Sequence, residues 1–318
     1  MKEDKRPLMV TVQCMTYNQA SYIEDAMNGF TMQQTTFPYV CCIIDDASTD
    51  GEQEVIKNYL NEHFDLEDKK VVRHEETDDY VLTFARHKTN LNCYFAVLYL
   101  KYNHYSIKKS KHTYISEWRD NAKYIAICEG DDYWIDPLKL QKQFDILEQD
   151  EGISLCHHNF YELNEITGTT TLKQRIVPER QDLLSVAKNN YTQTLTLFFR
   201  NFQPVIPKEL EGKTVYSRFW ALRLAEIGDL YYIDEPMAVY RRNSNSIYGM
   251  RPLSIKYRMT LESLDSSIFW YNICQRKDVV KVLKQNGRKI CFVYFCSFVK
   301  RFELKNIFRV VKDFFNYI

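Results

Sequence analysis

Three short apolar segments, each followed at once by polar residues, constrain the fold of this chain more than any other feature. Residues 8–15 (LMVTVQCM), 39–44 (YVCCII) and 124–128 (YIAIC) have the length and composition of buried strands. The first two segments are followed by helical spacing of apolar residues, over residues 21–32 and 55–64. Strand, helix, strand and helix in this order predict an α/β fold with parallel strands.

Weaker patterns extend this architecture. Ser21 and Glu24 have the spacing of a capping box, and Asp136 followed by Pro137 has the N-cap and N1 chemistry of another helix start. Residues 65–121 are polar and rich in His, Lys and Tyr, and we predict mixed helix and loop there. Further strands are predicted at residues 153–156, 195–199 and 230–233.

The second apolar segment runs into the acidic sequence IIDDASTDG, which is similar to the first half of an EF-hand calcium loop. An EF-hand needs a bidentate Glu at position 12, and counting from Asp46 that position holds Lys57. An ammonium group there would repel the ion, so the EF-hand is excluded. A phosphatase would need a second Asp two positions after Asp45, and Ala47 stands there instead.

Polar groups follow all three apolar segments, and ligands of open α/β sheets bind at the carboxyl ends of the strands. Crowded carboxylates repel each other unless a cation lies among them, so the acids of EGDDYW predict a Mg²⁺ or Mn²⁺ site. For EGDDYW alone, a solvated acidic turn is the alternative interpretation. Such cations bind substrate phosphates as well as carboxylates, which favours a nucleotide diphosphate as the ligand. The polar groups are Thr16, Tyr17 and Asn18, then Asp45 and Asp46, then Glu129, Asp131 and Asp132.

A glycine-rich phosphate loop is absent from the sequence. No G-x-G-x-x-G motif occurs, and the Gly212-Lys213-Thr214 end of an apparent Walker motif has Pro207 where the first Gly belongs. We therefore expect a metal ion, not backbone amides, to neutralise the phosphates.

Three stretches in order resemble the successive blocks of family 2 glycosyltransferases with the GT-A fold: VTVQCMTYNQASYIEDAM, CCIIDDASTDG and AKYIAICEGDDYWIDPLKLQKQ. The resemblance covers about residues 8–150 and continues weakly at 231–247. It implies a Rossmann-like GT-A domain over 8–245, with a mixed, mainly parallel sheet flanked by helices. Its nucleotide-sugar-binding part would span about 8–150 and its acceptor part about 151–245.

The activity implied by the resemblance is metal-dependent, inverting transfer of a hexosyl or N-acetylhexosaminyl group. The donor would be a nucleotide-diphosphate sugar, UDP-linked, and the acceptor a glycan or a lipid-linked glycan of a bacterial surface polysaccharide. The processive Q-x-x-R-W motif is absent from the sequence, which favours single additions over polymer synthesis.

The resemblance also implies roles for individual residues. Thr16, Tyr17 and Asn18 would border the nucleoside, which Asp45 and Asp46 would bind. Glu129-Gly130-Asp131-Asp132 matches the D-x-D element, with Glu129 in place of its first Asp, so that Asp131 contacts nucleotide and metal while Glu129 and Asp132 bind the metal.

The catalytic base is where the sequence departs from the family pattern. The family's Asp aligns near Ser217, which cannot act as a base. The nearest upstream carboxylate, Glu211, is therefore the predicted base, and Glu209 is the second choice. Two rival functions stay open: a nucleotide-sugar-binding protein that has lost its base, and a sugar nucleotidyltransferase. The latter needs a basic, Gly-rich loop, and MTYNQAS offers none.

Charge and cysteine content bear on partners and location. The chain has 42 basic and 42 acidic residues, which gives no indication of nucleic-acid binding. Nine scattered cysteines without a secretory signal predict a reducing cytoplasm. The apolar run at residues 290–299 is half of the roughly 20 residues that span a bilayer, so a soluble or peripheral protein on the inner face of the plasma membrane is expected.

The end of the chain is predicted to be a basic helical extension over 250–318. Residues 281–318 contain nine Lys and Arg residues but only Glu303 and Asp313 as acids. Over 303–318 the apolar residues keep helical spacing, with Arg301, Lys305 and other basic residues on the opposite side. This helix either packs on the protein with a solvated basic face or lies on an anionic membrane or partner.

Overall fold

The computed structural model of the chain describes residues 8–202, 208–210, 217–243 and 251–318. The strands are β1 (Val10–Thr16), β2 (Tyr39–Asp45), β3 (Phe64–Asp65), β4 (Arg73–Glu76), β5 (Tyr80–His87), β6 (Cys93–Leu100), β7 (Tyr124–Ile127), β8 (Tyr133–Trp134), β9 (Ile153–Asn164), β10 (Thr169–Leu172), β11 (Arg180–Gln181), β12 (Phe198–Arg200) and β13 (Asp229–Arg242). The helices are α1 (Ile23–Thr31), α2 (Glu52–His63), α3 (Ser116–Arg119), α4 (Lys139–Gln149), α5 (Leu183–Lys188), α6 (Ser217–Ala225), α7 (Leu253–Ile273), α8 (Lys277–Lys300) and α9 (Leu304–Phe315).

The chain divides into two compact units. The first contains the described residues of Met1–Ile176, Gln193–Phe202 and Tyr232–Arg242. The second contains those of Val177–Thr192, Gln203–Tyr231 and Asn243–Ile318.

The first unit is built on one mixed sheet. Its strands follow the order β13-β9-β12-β7-β1-β2-β6-β5-β3. The central strands β7, β1, β2 and β6 are parallel, whereas β12 and β5 flank them in antiparallel orientation. The predicted fold class, a mixed and mainly parallel sheet flanked by helices with C-terminal helices, is confirmed.

Strand β2 shows why the sequence pattern was so clear. All seven of its residues are buried. On one face Val40, Cys42 and Ile44 pack in a cluster that includes Trp118 of α3, and on the other the Tyr39 hydroxyl donates to the carbonyl of Phe30 in α1 at 2.7 Å. A strand covered on both faces reads as a continuous apolar run.

The prediction of mixed helix and loop for residues 65–121 is wrong over the segment 73–100. It forms β4, β5 and β6, and β5 pairs with both β4 and β6 in antiparallel fashion. Strand β5 is mostly half-buried and β4 largely exposed. Their polar residues face solvent, so neither strand has the continuous apolar run of a buried strand.

Two predicted helix starts also need correction. No side chain caps α1, which begins at Ile23, and the amides of Tyr22 and Ile23 donate to the carbonyl of Gln19 at 2.8 and 3.0 Å. The capping box of Ser21 is therefore wrong. Helix α4 begins at Lys139, after Asp136 accepts the amide of Leu138 at 2.8 Å, because the chain makes a turn before the helix.

The second unit is mainly helical, as predicted for the end of the chain. Helix α9 packs on α8 where Tyr317, just past α9, lies against Gly287: a Cβ at this glycine would come within 2.7 Å of the ring. The Tyr317 hydroxyl donates to Asp265 of α7 at 2.7 Å. Within the described ranges, none of the helices is both long and apolar enough to cross a membrane. All nine cysteines are free, and most are buried.

Candidate nucleotide and metal site

The carboxyl ends of β1, β2 and β7 meet at one edge of the sheet. Strand β1 lies between the other two, and Thr16 at its end is in register with Asp45 at the end of β2. The amide of Asp46 donates to the carbonyl of Thr16 at 3.0 Å, and the amide of Gly130 donates to that of Met15 at 3.3 Å. The structure thus brings the three predicted polar groups together.

Gly130 permits the close approach of the acidic loop to the end of β1. A Cβ at this position would lie 2.5 Å from both Thr16 Oγ1 and Gln19 Oε1, and 2.8 Å from Thr16 Cβ. Real Cβ atoms do not come so close to other heavy atoms, so any other residue would push the loop away from β1. The glycine of EGDD therefore fixes the position of the carboxylates around it.

Glu129, Asp131 and Asp132 form a compact acidic cluster. One carboxylate oxygen from each lies within 4.8 Å of the others. Asp132 is buried, with its Oδ1 accepting the amide of Arg241 at 2.8 Å. Asp131 is half-buried and Glu129 is exposed as a whole residue.

Two carboxyl groups of this cluster have raised pKa values. Crowding by protein, followed by the charge of Asp131, raises the pKa of Glu129 to about 7. The same two causes, in the same order, raise the pKa of Asp132 well above its usual range. Three oxygen donors without His or Cys are suited to a hard divalent ion, which would remove this repulsion.

Arg241, which sequence reasoning missed, supports the cluster from β13. Its guanidinium is buried, bonds the carbonyl of Asp131 at 3.1 Å and Asp25 at 2.6 Å, and lies 3.2 Å from Glu165. It also stacks on the rings of Tyr22 and Tyr133. A possible sequence signal was its place in YYIDEPMAVYRRNSNSI, the weakly matching segment.

Asp46 is fully engaged by protein groups. It is 1% exposed, and its carboxylate accepts the amides of His104 and Tyr105 at 2.7 and 3.1 Å. Lys111 completes the set with an ion pair at 2.7 Å, while Asn103 donates to the Asp46 carbonyl at 3.1 Å. Asp46 thus holds the segment 103–111 against the end of β2.

Another buried carboxylate, Glu52, joins the loops after β1 and β2. It accepts the hydroxyl of Thr16, the amide of Gln19 at 2.9 Å and the hydroxyl of Ser48 at 2.7 Å. Sequence reasoning missed it, although its position directly after Gly51 marks it as the first residue of α2. The hydrogen bonds of Glu52 therefore hold the two loops together.

The remaining predicted nucleotide contacts differ in accessibility. Tyr17 is exposed, and the Asn18 side chain accepts the amide of Thr49 at 2.8 Å. Asp45 is buried and accepts the side-chain amide of Gln53 at 2.5 Å. Burial raises the pKa of Asp45 despite this bond. Tyr17 is thus the most accessible of these three for a ligand.

Residues 11–81 match the family model "Glycosyl transferase family 2". This segment, which contains β1, α1, β2 and α2, is thus similar to family 2 glycosyltransferases. An uncharacterised protein of Mycobacterium tuberculosis is 29% identical over 241 residues, which is 75% of this chain and 60% of that protein. The chain thus spans about 60% of the length of these mycobacterial relatives.

Two further proteins that are similar to the chain have named activities. A putative teichuronic acid biosynthesis glycosyltransferase of Bacillus subtilis is 24% identical over 246 residues, covering 75% of this chain and 81% of that protein. The structure of a mannosyltransferase from Pyrobaculum calidifontis in complex with GDP-Man and Mn²⁺ aligns with a TM-score of 0.50 at 13% identity. That alignment covers 93% of this chain and 76% of the other, and it supports the GT-A fold.

The predicted catalytic base lies outside the described residues. Glu211 falls between the described ranges 208–210 and 217–243. Glu209 is exposed in a 3₁₀ turn, and Ser217 is the exposed first residue of α6. The assignment of Glu211 stays a prediction.

Proposed function

We propose that this chain is a metal-dependent, inverting glycosyltransferase that moves a sugar from a UDP-sugar to a glycan or lipid-linked acceptor. The observation that carries the proposal is the acidic cluster of Glu129, Asp131 and Asp132, three carboxylate oxygens within 4.8 Å at the carboxyl end of β7. The family match over residues 11–81 supplies the nucleotide-sugar context.

The donor set fits a Mg²⁺ or Mn²⁺ ion. Glu129, Asp131 and Asp132 would hold it through carboxylate oxygens, leaving its other positions to water and diphosphate. When bound, such an ion stabilises the negative charge that develops on the departing diphosphate. Asp132 is oriented for this role by the Arg241 amide, and Gly130 keeps the carboxylates close to β1.

The nucleoside is proposed to bind beside the joined loops after β1 and β2. Exposed Tyr17 offers a ring for stacking. Asp46 takes part by holding the segment 103–111, whose Tyr105 and Ile107 side chains are exposed. We propose that Glu211 accepts the proton of the attacking acceptor hydroxyl, because an inverting transfer needs a general base.

Binding is tested by titration calorimetry with UDP, with and without Mn²⁺, and with GDP as the comparison nucleotide. We expect Mn²⁺-dependent binding that favours UDP and that is lost in Asp132→Ala. Metal-independent binding, or unchanged binding in Asp132→Ala, would refute the metal site. A preference for GDP would refute uracil as the nucleobase of the donor.

Turnover is tested by incubating the protein with UDP-sugars and following UDP release. Ser217 at the family's base position favours a second function, a nucleotide-sugar-binding protein without activity. Binding without UDP release for any donor and acceptor would support that second function. If turnover occurs, Glu211→Gln is expected to slow it about 100-fold or more, and the matched variant Glu209→Gln to leave it unchanged.

A further inference from the structure

Helix α9 exposes an apolar stripe instead of burying it. Its inward side is provided by Val310, together with Tyr317 just beyond the helix, and both are almost fully buried. A separate line of apolar side chains faces outward, with exposed fractions between 43% and 74%. These are Leu304, Phe308, Val311, Phe315 and Ile318.

The first four residues are spaced by four, three and four, which places them along one side of α9, and Ile318 follows in the turn beyond the helix. Phe302, two residues before the start of α9, is a further large apolar side chain and is 89% exposed. Exposed apolar residues scattered singly are ordinary on protein surfaces, but a continuous line of large ones marks a site of interaction.

Positive charge lies beside the stripe. By helical spacing, Lys305 and Lys312 flank it on one side, and both are exposed. Arg301, in the turn between α8 and α9, is also exposed. The two acids of this region point elsewhere, since Asp313 accepts the hydroxyl of Tyr257 at 2.9 Å and Glu303 accepts the amide of Asn306. The outer half of α9 is therefore apolar and cationic.

We propose that α9 docks on an anionic lipid membrane, with the stripe inserted at the headgroup boundary and the basic residues against lipid phosphates. A membrane interface offers an apolar layer and negative charge side by side, which is the pattern that α9 presents. A second copy of the chain fits this surface less well, because it would bring a second set of cations to the same place. The helix lies on the bilayer and does not cross it.

The test is co-sedimentation of the full chain with vesicles of phosphatidylcholine alone or mixed with phosphatidylglycerol. We expect binding to the mixed vesicles that weakens as salt is raised. The double variant Phe308→Ser with Phe315→Ser is expected to lower the affinity about tenfold or more. Both side chains are exposed, so the fold is retained, which circular dichroism checks. Ile166→Ser, at an exposed apolar residue of the β9–β10 turn, is the matched control and leaves binding unchanged.

A charge variant separates the two parts of the surface. Lys305→Gln with Lys312→Gln is expected to reduce binding to the mixed vesicles and to weaken its salt dependence. No binding to the mixed vesicles, or equal binding by the phenylalanine variant, would overturn the proposal. So would concentration-dependent dimerisation in light scattering that the phenylalanine variant abolishes, since the stripe would then be a contact between copies. Nucleotide binding is measured without membranes, so failure here leaves the proposed function intact.

Discussion

The ion pair between Asp46 and Lys111 allows the role of Asp46 to be tested. The Asp46 carboxylate is 1% exposed and holds the segment 103–111 through two backbone amides and the Lys111 ammonium. Lys111→Met keeps much of the aliphatic chain but removes the charge. If Asp46 acts mainly by anchoring this segment, the loss of Lys111 should affect both stability and nucleotide binding.

The expected magnitude follows from the burial of the pair. Removing one partner of a buried ion pair costs about 3–5 kcal/mol when the other charge is left uncompensated. Two amide bonds to Asp46 remain, and the Lys111 side chain is 18% exposed, so water can reach part of the site. We therefore expect Lys111→Met to lower the free energy of unfolding by about 2–3 kcal/mol. Asp46→Asn in the Lys111→Met background should cost about 1–3 kcal/mol less than in the wild type.

The assay is urea unfolding of the wild type, both single variants and the double variant. Lys108→Met, at an exposed lysine of the same segment, is the matched control and should change stability by less than about 0.5 kcal/mol. Additive effects of the two single variants would refute the reasoning about the pair.

Calorimetry with UDP and Mn²⁺ on the same variants separates two roles for Asp46. Comparable losses of affinity in Asp46→Asn and Lys111→Met are expected if Asp46 acts through the segment 103–111. A loss confined to Asp46→Asn would mean that this carboxylate contacts the nucleoside directly.

Three further predictions follow from local geometry and charge. Gly130→Ala should cost about 1–3 kcal/mol of stability and weaken Mn²⁺ binding in calorimetry. The control Gly168→Ala, at a φ of +66° with open space around it, should cost about 1–2 kcal/mol and leave Mn²⁺ binding intact. Equal effects of the two variants on Mn²⁺ affinity would contradict this prediction. Mn²⁺ at about 100 times its Kd should stabilise the protein by about 2.7 kcal/mol in thermal unfolding, reversibly with EDTA, and an equal shift in Asp131→Asn would place the ion elsewhere. Burial lowers the pKa of Lys139 from its usual 10.5 to about 7. Between these pH values the unfolded chain binds a proton that the folded chain does not, so the free energy of unfolding should rise with pH. Lys139→Met should flatten this rise in urea midpoints, and an unchanged dependence of the midpoint on pH would show that Lys139 does not cause it.

The sequence was most informative where one strand carries the whole signal. The run at residues 39–44 is buried on both faces of β2, so its composition alone predicted the strand and the acids after it. Strand β5 is half-buried and pairs with β4 on one side and β6 on the other. Its own composition does not indicate that these two strands are its partners. Tertiary pairing, which sequence spacing does not encode, determines that part of the fold.

The same distinction holds within the site. EGDD was recognisable because its acids are adjacent in the chain and directly follow a strand. Arg241 lies more than 100 residues further along and reaches Asp131 and Asp25 only through the packing of β13. The anchoring role of Asp46 was equally hidden, because it depends on the amides of His104 and Tyr105, and every residue except proline supplies an amide.

That last feature determines which substitutions the segment 103–111 tolerates. Asp46 binds the backbone amides of residues 104 and 105. The anchoring of the segment therefore does not depend on the identity of the side chain at position 105. Tyr105 and Ile107 are exposed and can be exchanged while the anchor stays in place. A library randomised at these two positions, with proline left out at 105, would vary the surface beside the proposed nucleotide site while the backbone of the segment stays the same. The anchor thus makes this segment a practical starting point for redesigning ligand preference.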